Sequence, residues 1–261
     1  TDGSALEFTR SNYFGRVSYG FKDKYLLDFN VRYDGSSAFP KDKRWGFFPG
    51  ISVGWVLSEE DFIKNDNINH LKLRGSWGKM GNDAIDPFQY LSTYSFTNGY
   101  FLGQGKNLAK GLTQNVAPNP NITWEVANTA NIGLNLEAWN GLFGMTLDVF
   151  QTTRSNILVA RNASIPTYTG LKLPLGNLGV VENKGLEIEL SHNNRIGNVS
   201  YSIRPNMSFA RNRIIDIDEP ENIEEWQRRT GHAINSEVYL IPIGIYRSEE
   251  EINNSAHVPG T

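Results

Sequence analysis

The chain has 261 residues, enough for one large domain or two small ones, and its net charge of −3 gives no electrostatic reason to expect nucleic acid as a partner. It contains no cysteine, which excludes a disulfide scaffold, a thiolate metal site and a cysteine nucleophile. Its apolar runs are far shorter than the roughly 20 residues that a membrane helix needs, whereas 12% aromatic residues and 25 glycines suit an all-β protein with many tight turns.

The first four predicted elements are β-strands in which apolar and polar side chains alternate. In YLLDFNVRY, for example, Tyr25, Leu27 and Phe29 alternate with polar residues. Because successive side chains of a strand point to opposite faces, each such strand has one apolar and one polar face. A link of only three residues, 22–24, predicts that the first two strands form a hairpin. The pattern predicts strands over 13–21, 25–33, 51–57 and 71–77.

The link between the third and fourth strands, 58–69, is predicted to contain a brief helix. Ser58 followed by Asp61 resembles the start of a capping box, in which side chains satisfy the first backbone N–H groups of a helix.

Four more strands follow a long connection. Asn140-Gly141 is the dipeptide that a type I′ hairpin turn favours, and a second turn is predicted over 193–197. Short links therefore alternate with long loops, over 79–125, 156–182 and 213–261, with a further long link over 35–44. We count about eight antiparallel strands between about 13 and 212, the later ones over 130–136, 143–149, 186–190 and 201–209.

Two interpretations of the apolar face compete. A soluble β-sandwich, for example a carbohydrate-binding or adhesive domain, would bury this face against a second sheet. A transmembrane barrel would turn it to lipid. Three features favour the barrel: strands of roughly ten residues, aromatic residues at strand ends, and short turns at one end opposite long loops at the other.

In the barrel interpretation the polar face lines a lumen. Its Gly and Ser content and the long loops suggest a barrel wider than eight strands, of which this chain is an arc. Charges there would hydrate a channel and contact a plug. The residues expected to face the lumen or the plug are Asp28, Asn30, Arg32, Lys72, Arg74, Glu187, Glu189, Arg204 and Asn206.

Several stretches, in order, resemble the barrel region of SusC/RagA-type TonB-dependent transporters. They are YLLDFNVRYDGSSAFP, RWGFFPGISVGWVLSEEDF, LKLRGSWGKMGN, NPNITWEVANTANIGLNLEAWNG and LGNLGVVENKGLEIEL. The resemblance covers roughly 12–215. It is specific because several separate motifs recur with their order and spacing.

The resemblance implies an antiparallel up-and-down barrel of 22 strands in the outer membrane of a Gram-negative bacterium. It also implies an amino-terminal plug, a SusD-like surface lipoprotein that closes over the mouth as a lid, and import of oligosaccharides or peptides driven by the TonB complex. This chain has no plug or TonB-contacting segment, and HVPGT is not the aromatic-terminated strand with which such barrels usually finish. We therefore interpret 1–261 as an internal segment of one barrel domain.

The sequence gives little support for catalysis. The four histidines are scattered, and none has metal-ligand spacing to another. Glu187 and Glu189 lie two residues apart and share a strand face, as paired carboxylates of a glycosidase could. Charge that lines the lumen is the preferred interpretation. No enzymatic activity and no cofactor are expected.

The long loops contain the candidate contacts for the ligand or the lid. Aromatic faces stack on sugars and peptide side chains, although packing against other loops or against the lid is the more common role for them. The candidate residues are Tyr90, Tyr94, Phe96, Tyr100, Phe101 and Trp226. The alternation around Tyr94 suggests a projecting hairpin. The acidic run DIDEPENIEEW has the oxygen ligands that calcium takes but lacks EF-hand spacing, so a solvated loop is expected, with calcium as the alternative.

Overall fold

The computed structural model describes residues 7–96, 99–103, 107–161, 173–242 and 244–254. Part of the predicted loop 156–182 and the final HVPGT fall outside these residues. No helix in this part of the chain is long and apolar enough to cross a membrane.

The first four strands form a meander with the predicted hairpin at its start. β1 and β2 pair along their whole length, from Phe21↔Tyr25 to Arg10↔Ser36. β2 then pairs with β3, and β3 pairs with β4, all antiparallel. Each strand runs further than the alternation predicted, because hydrogen bonding continues beyond the last apolar side chain. The bounds are Arg10–Phe21 for β1, Tyr25–Ser36 for β2, Trp45–Val56 for β3 and Ile68–Asn82 for β4.

The long connection after β4 contains a nested hairpin, as the alternation around Tyr94 suggested. β5 pairs with β8, and inside them β6 pairs with β7. These strands have three residues each: Tyr94–Phe96, Tyr100–Leu102, Asn107–Ala109 and Leu112–Gln114 for β5 to β8.

The chain then returns to the main sheet, where β9 pairs with β4 and the remaining strands follow. β12 and β13 both pair with β11 in one continuous register, from Ile196↔Val199 to Val181↔Ile214. They act as a single strand that is interrupted at Pro205, which has no N–H to donate. The bounds are Glu125–Ala138 for β9, Phe143–Val159 for β10, Gly176–Ile196 for β11, Val199–Ile203 for β12 and Asn206–Asp216 for β13.

With β12 and β13 counted together, the main sheet has eight long antiparallel strands, as predicted. In the described residues its order is β1-β2-β3-β4-β9-β10-β11-β12/β13, without closure between the first and last strands. The only other sheets in this part of the chain are the two small pairs in the long connection, so no second layer covers the apolar face. The sandwich alternative is not the architecture found.

The links contain one confirmed turn and two corrections. Asn140 (φ 55°) and Gly141 (φ 82°) form the predicted type I′ geometry. The turn predicted over 193–197 is wrong, because β11 continues to Ile196 and the reversal occurs at 197–198. The helix predicted over 58–69 shrinks to one 3₁₀ turn, Leu57–Glu59, and no side chain caps it.

Candidate functional site

The outer face of the main sheet carries a continuous apolar belt. The register places apolar residues from all eight strands on this one face, and many are exposed, Ile132 at 66%. Phe14 and Phe150 are exceptions that lie on the opposite face. An exposed apolar surface of this extent indicates that something other than water covers it. On the outer face of a membrane β-barrel, lipid covers it. The belt comprises Val17, Tyr19, Leu27, Phe29, Val31, Ile51, Val53, Leu71, Leu73, Trp77, Ile132, Leu134, Leu136, Met145, Leu147, Val149, Leu186, Ile188, Leu190, Met207 and Phe209.

Aromatic side chains border the belt on β1 to β3. At the long-loop end Trp45 stacks between Tyr13 and Tyr33, with ring centroids 6.0 and 4.8 Å away. At the short-turn end Tyr25 stacks with Trp55 at 6.3 Å. Rings at both borders of an apolar band are typical of the two interfaces of a membrane.

The belt crosses the sheet obliquely. With its bordering ring included, the apolar run of β1 extends up to Tyr13, whereas the unbroken run of β13 ends at Phe209, which the ladders place level with Tyr19. Arg211 and Arg213 separate Phe209 from the next exposed apolar residue of β13, Ile215. The upper border thus descends six residues across seven strand-to-strand steps. With about 3.3 Å per residue and about 4.8 Å per strand, the slope is roughly 30°. Strands in closed membrane barrels tilt by about 35–45° from the axis, so a level membrane accounts for the oblique border.

The inner face is polar and is joined across strands by ion pairs. Asp28 on β2 accepts hydrogen bonds from Arg16, at 2.9 Å, and from Ser18, both on β1. Arg32 pairs with Asp34 at 3.0 Å. Asp28 and Arg32 therefore lie on the predicted lumen side, with partners that alternation could not identify.

Arg74 is the centre of the largest inner network. It donates to Asn135 on β9 at 2.8 Å and to Asp148 on β10, so one guanidinium links three strands. The guanidinium lies across Gly133, where a Cβ would come within 2.5 Å of it. Asn135 also donates to Thr146. Of these residues, only Arg74 was predicted from the sequence to face the lumen. Asp148 alternates with the apolar residues Leu147 and Val149, so the same pattern could have placed it on the inner face.

The remaining predicted lumen residues, apart from Arg204, also lie on the inner face by register. Glu187 lies opposite Asp148 on one side and accepts a hydrogen bond from Ser208 on the other, while Glu189 lies opposite Thr146. Asn30 lies against Gly50. Lys72 and Asn206 are also in this register, and Arg204 lies in the break between β12 and β13, outside any ladder pair.

A compact apolar cluster lies at the long-loop end of the inner face. Trp124 contacts Phe39 and Phe48 with ring centroids 5.0 and 5.3 Å away, and Ile122 is fully buried among them. Alternation did not reveal this loop cluster, because its residues come from loops and not only from strands. Its signals were SSAFP and NPNITWE, two stretches that carry the family resemblance.

Side-chain amides fasten three loops around this cluster. Asn119 donates to the Leu175 carbonyl at 2.8 Å, and Asn177 pairs with both the N–H and the carbonyl of Thr123. Trp124 Nε1 donates to the Arg44 carbonyl at 3.2 Å. The loops at 37–44, 115–124 and 173–177 are therefore held together as one structure.

Ion pairs also fix the borders of the sheet outside the belt. Burial opposes ionisation of Asp83, but hydrogen bonds from Arg10 and Ser36 and the Arg10 charge hold the pKa of that carboxyl below its usual range. At the short-turn end Glu60 accepts hydrogen bonds from Tyr25, Trp55 and Lys24, and these hold the pKa of Glu60 below its ordinary 4.5.

The aromatic residues that were predicted to contact the ligand or the lid lie in different parts of the structure. Tyr90 packs against the apolar loop cluster and beside Phe88, and its contact with the ligand or the lid stays a prediction. Tyr94, Phe96 and Phe101 are exposed on the nested hairpin, and Trp226 is exposed in a separate 3₁₀ turn, Glu225–Gln227. The backbone of Tyr100 lies in β6, and its side chain falls outside the described residues.

The acidic run forms its own contacts. Glu219 is partly desolvated, yet hydrogen bonds from Thr230 and Arg229 hold its pKa below the usual range, and Asp216 accepts the Asp218 N–H. Among the described residues, no three His, Asp or Glu side chains are grouped as a metal site would require. Calcium binding stays a prediction.

Comparison with known proteins agrees with this geometry. The model of the TonB dependent receptor-like β-barrel family matches residues 3–236. TonB-dependent receptor P26 of Formosa agariphila is 34% identical over 260 residues, covering 95% of this chain and 26% of the relative. TonB-dependent receptor SusC of Bacteroides thetaiotaomicron is 35% identical over 190 residues, covering 72% and 19%.

Solved structures show the same fold. The RagAB peptide importer in its closed-closed state superposes with a TM-score of 0.73 at 22% identity, covering 87% of this chain and 25% of that one. The chain spans about a quarter of the length of the curated relatives it matches.

Proposed function

From the membership of this chain in the TonB-dependent receptor-like β-barrel family, we propose that it forms part of the wall of an importer for oligosaccharides or peptides. Members of this family are outer-membrane proteins of Gram-negative bacteria. The whole transporter would add the strands that close the barrel and a plug. The observation that carries the proposal is the division of one sheet into an apolar outer belt and an ion-paired inner wall.

The inner wall supplies what a passage for polar solutes needs. Paired charges such as Arg16–Asp28 and Arg74–Asp148 hold their side chains against the wall, and partly unpaired carboxylates such as Glu187 remain to hydrate the lumen or to contact a plug. Transport through such a wall involves no bond chemistry. Displacement of the plug, driven by the TonB complex, would admit the ligand.

The long-loop end is where a lid would bind. Two of the relatives carry the names SusC and RagAB, and the second is described as a peptide importer. By this likeness we propose a SusD-like surface lipoprotein as the partner at the mouth. The exposed rings of Tyr94, Phe96, Phe101 and Trp226 offer contact surface to the lid or to the ligand.

Uptake by the full-length protein tests the proposal. Cells that depend on this transporter would be given labelled oligosaccharides and peptides, with and without a functional TonB complex. Import of at least one class should require both the protein and TonB. If deletion of the protein changes uptake of neither class, the proposed function is wrong.

A matched pair of charge reversals then tests the assignment of the faces. Arg74→Glu places an anion beside Asp148 on the inner wall, whereas Lys79→Glu makes the same charge change on the outer face. Import per assembled molecule should change several-fold for the first variant and stay unchanged for the second. Equal effects from both would contradict a lumenal role for the inner wall.

A further inference from the structure

Three cations lie on the outer face directly beyond the belt, at its long-loop border on β11 and β13. The last apolar pair there is Leu186↔Phe209. The next outward pair is Lys184↔Arg211, and the one after it is Glu182↔Arg213. We call Lys184, Arg211 and Arg213 the basic rim.

The basic rim is not neutralised by its one carboxylate. Glu182 Oε1 accepts from Lys184 on its own strand at 2.9 Å, and Glu182 Oε2 accepts from Gln151 on β10 at 2.6 Å, so each of its oxygens is engaged by a residue outside β13. Within the described residues, no ion pair joins Arg211 or Arg213 to a carboxylate.

Three cations and one carboxylate leave a net positive charge here, which a bound anion would offset. Like charges directly opposite each other on neighbouring strands destabilise a sheet, and Lys184 faces Arg211 in this way. The inner face shows the contrast, because five of its arginines are ion-paired: Arg10, Arg16, Arg32, Arg74 and Arg154.

Contact with the belt sets the depth of the cations. The Arg211 guanidinium lies 5.3 Å from the centroid of the Phe209 ring, and Phe209 is 55% exposed on the apolar surface. The charge is thereby held where the apolar surface ends, at the level of lipid headgroups.

We propose that the basic rim binds the phosphate-bearing headgroup of a lipid in the leaflet at the long-loop end. Guanidinium groups bind phosphate oxygens bidentately, and the apolar belt below them takes the acyl chains of the same molecule. Long loops of such barrels are extracellular, so the occupant belongs to the outer leaflet. Lipid A, a phosphorylated glycolipid, has both the phosphate and the acyl chains that this surface would bind. The inference depends on the chain crossing a membrane and not on transport.

Native mass spectrometry of the full-length protein tests this proposal. The protein, in nanodiscs of neutral lipid, would be titrated with bisphosphorylated lipid A and, separately, with dephosphorylated lipid A and with inorganic phosphate. The test variant is Arg211→Gln with Arg213→Gln. Its control, Lys22→Gln with Arg195→Gln, removes two cations at the short-turn end of the sheet.

The expected result is retention of bisphosphorylated lipid A by the native protein and by the control. Apparent affinity should fall about twenty- to thirty-fold in the test variant, since each basic residue at an anionic surface is worth about 1 kcal/mol. Dephosphorylated lipid should bind no better to the native protein than to the variant. Unchanged affinity in the test variant, or equal loss in the control, would overturn the proposal. Binding of inorganic phosphate that matches the lipid would also overturn it, by showing a simple anion site.

Discussion

Replacement of Leu134 by arginine tests the claim that lipid covers the outer face. Leu134 lies between Ile132 and Leu136 on β9, the middle of the three belt residues of this strand, so the new charge would enter near the bilayer midplane. Lys or Arg at the midplane of a membrane barrel costs about 2 to 4 kcal/mol. The folded-to-unfolded ratio should therefore fall by about thirty- to several-hundred-fold.

Asn128→Arg is the matched control for this change. Asn128 lies on the same face of the same strand, six residues nearer to the long-loop end and outside the belt. The cost there should be about 0–1 kcal/mol. Denaturant unfolding of the full-length protein in lipid vesicles gives both values, and heat resistance in detergent gives an independent ranking. Equal losses for the two variants, or no loss at Leu134, would refute the assignment of the outer face.

Three further variants test the inner wall and the two ends of the sheet. Gly133→Ala should displace the Arg74 guanidinium and cost about 1 to 2 kcal/mol in unfolding free energy, whereas Gly75→Ala, whose Cβ meets only a side chain at 3.6 Å, should be nearly neutral. Folding lowers the pKa of Glu60 from its ordinary value of 4.5. The ionised Glu60 carboxylate therefore stabilises the folded protein above that pH, and this stabilisation is lost as the pH falls below it. Thermal melting should show that Glu60→Gln loses stability at pH 7 and removes this acid-dependent step; an unchanged step would contradict the role of Glu60. Trp124→Ala should cost about 3 to 5 kcal/mol and expose the loops that it holds to limited proteolysis, and unaltered cleavage would contradict their common anchoring.

The sequence predicted the strands well because side-chain alternation follows directly from strand geometry. Tyr25, Leu27 and Phe29 did mark one face of a long strand, and Asn140-Gly141 did form the turn between β9 and β10. Strand ends were less predictable. β11 continues to Ile196 because its ladder with β12 persists where apolar alternation has stopped. Ladder hydrogen bonds are made by the backbone and do not depend on the side-chain pattern.

Long-range partners could not be read from the pattern. Alternation placed Arg74 on the polar face, but its bond to Asp148 joins positions 74 residues apart and depends on the order of the strands. The burial of Trp124 likewise depends on loops brought together from three parts of the chain. The helix expected over 58–69 failed because a suitable capping pair has little effect when no apolar stripe follows to stabilise a helix.

The slope of the belt also determines how charge is arranged on the inner face, the predicted lumen side. Arg74, Asp148 and Glu187 belong to one hydrogen-bonded row that extends over three strand spacings, about 14 Å. A row inclined by roughly 30° spreads these groups over about 7 Å of depth. Their charges therefore lie at successive depths along a helical path on the inner face rather than in a single ring.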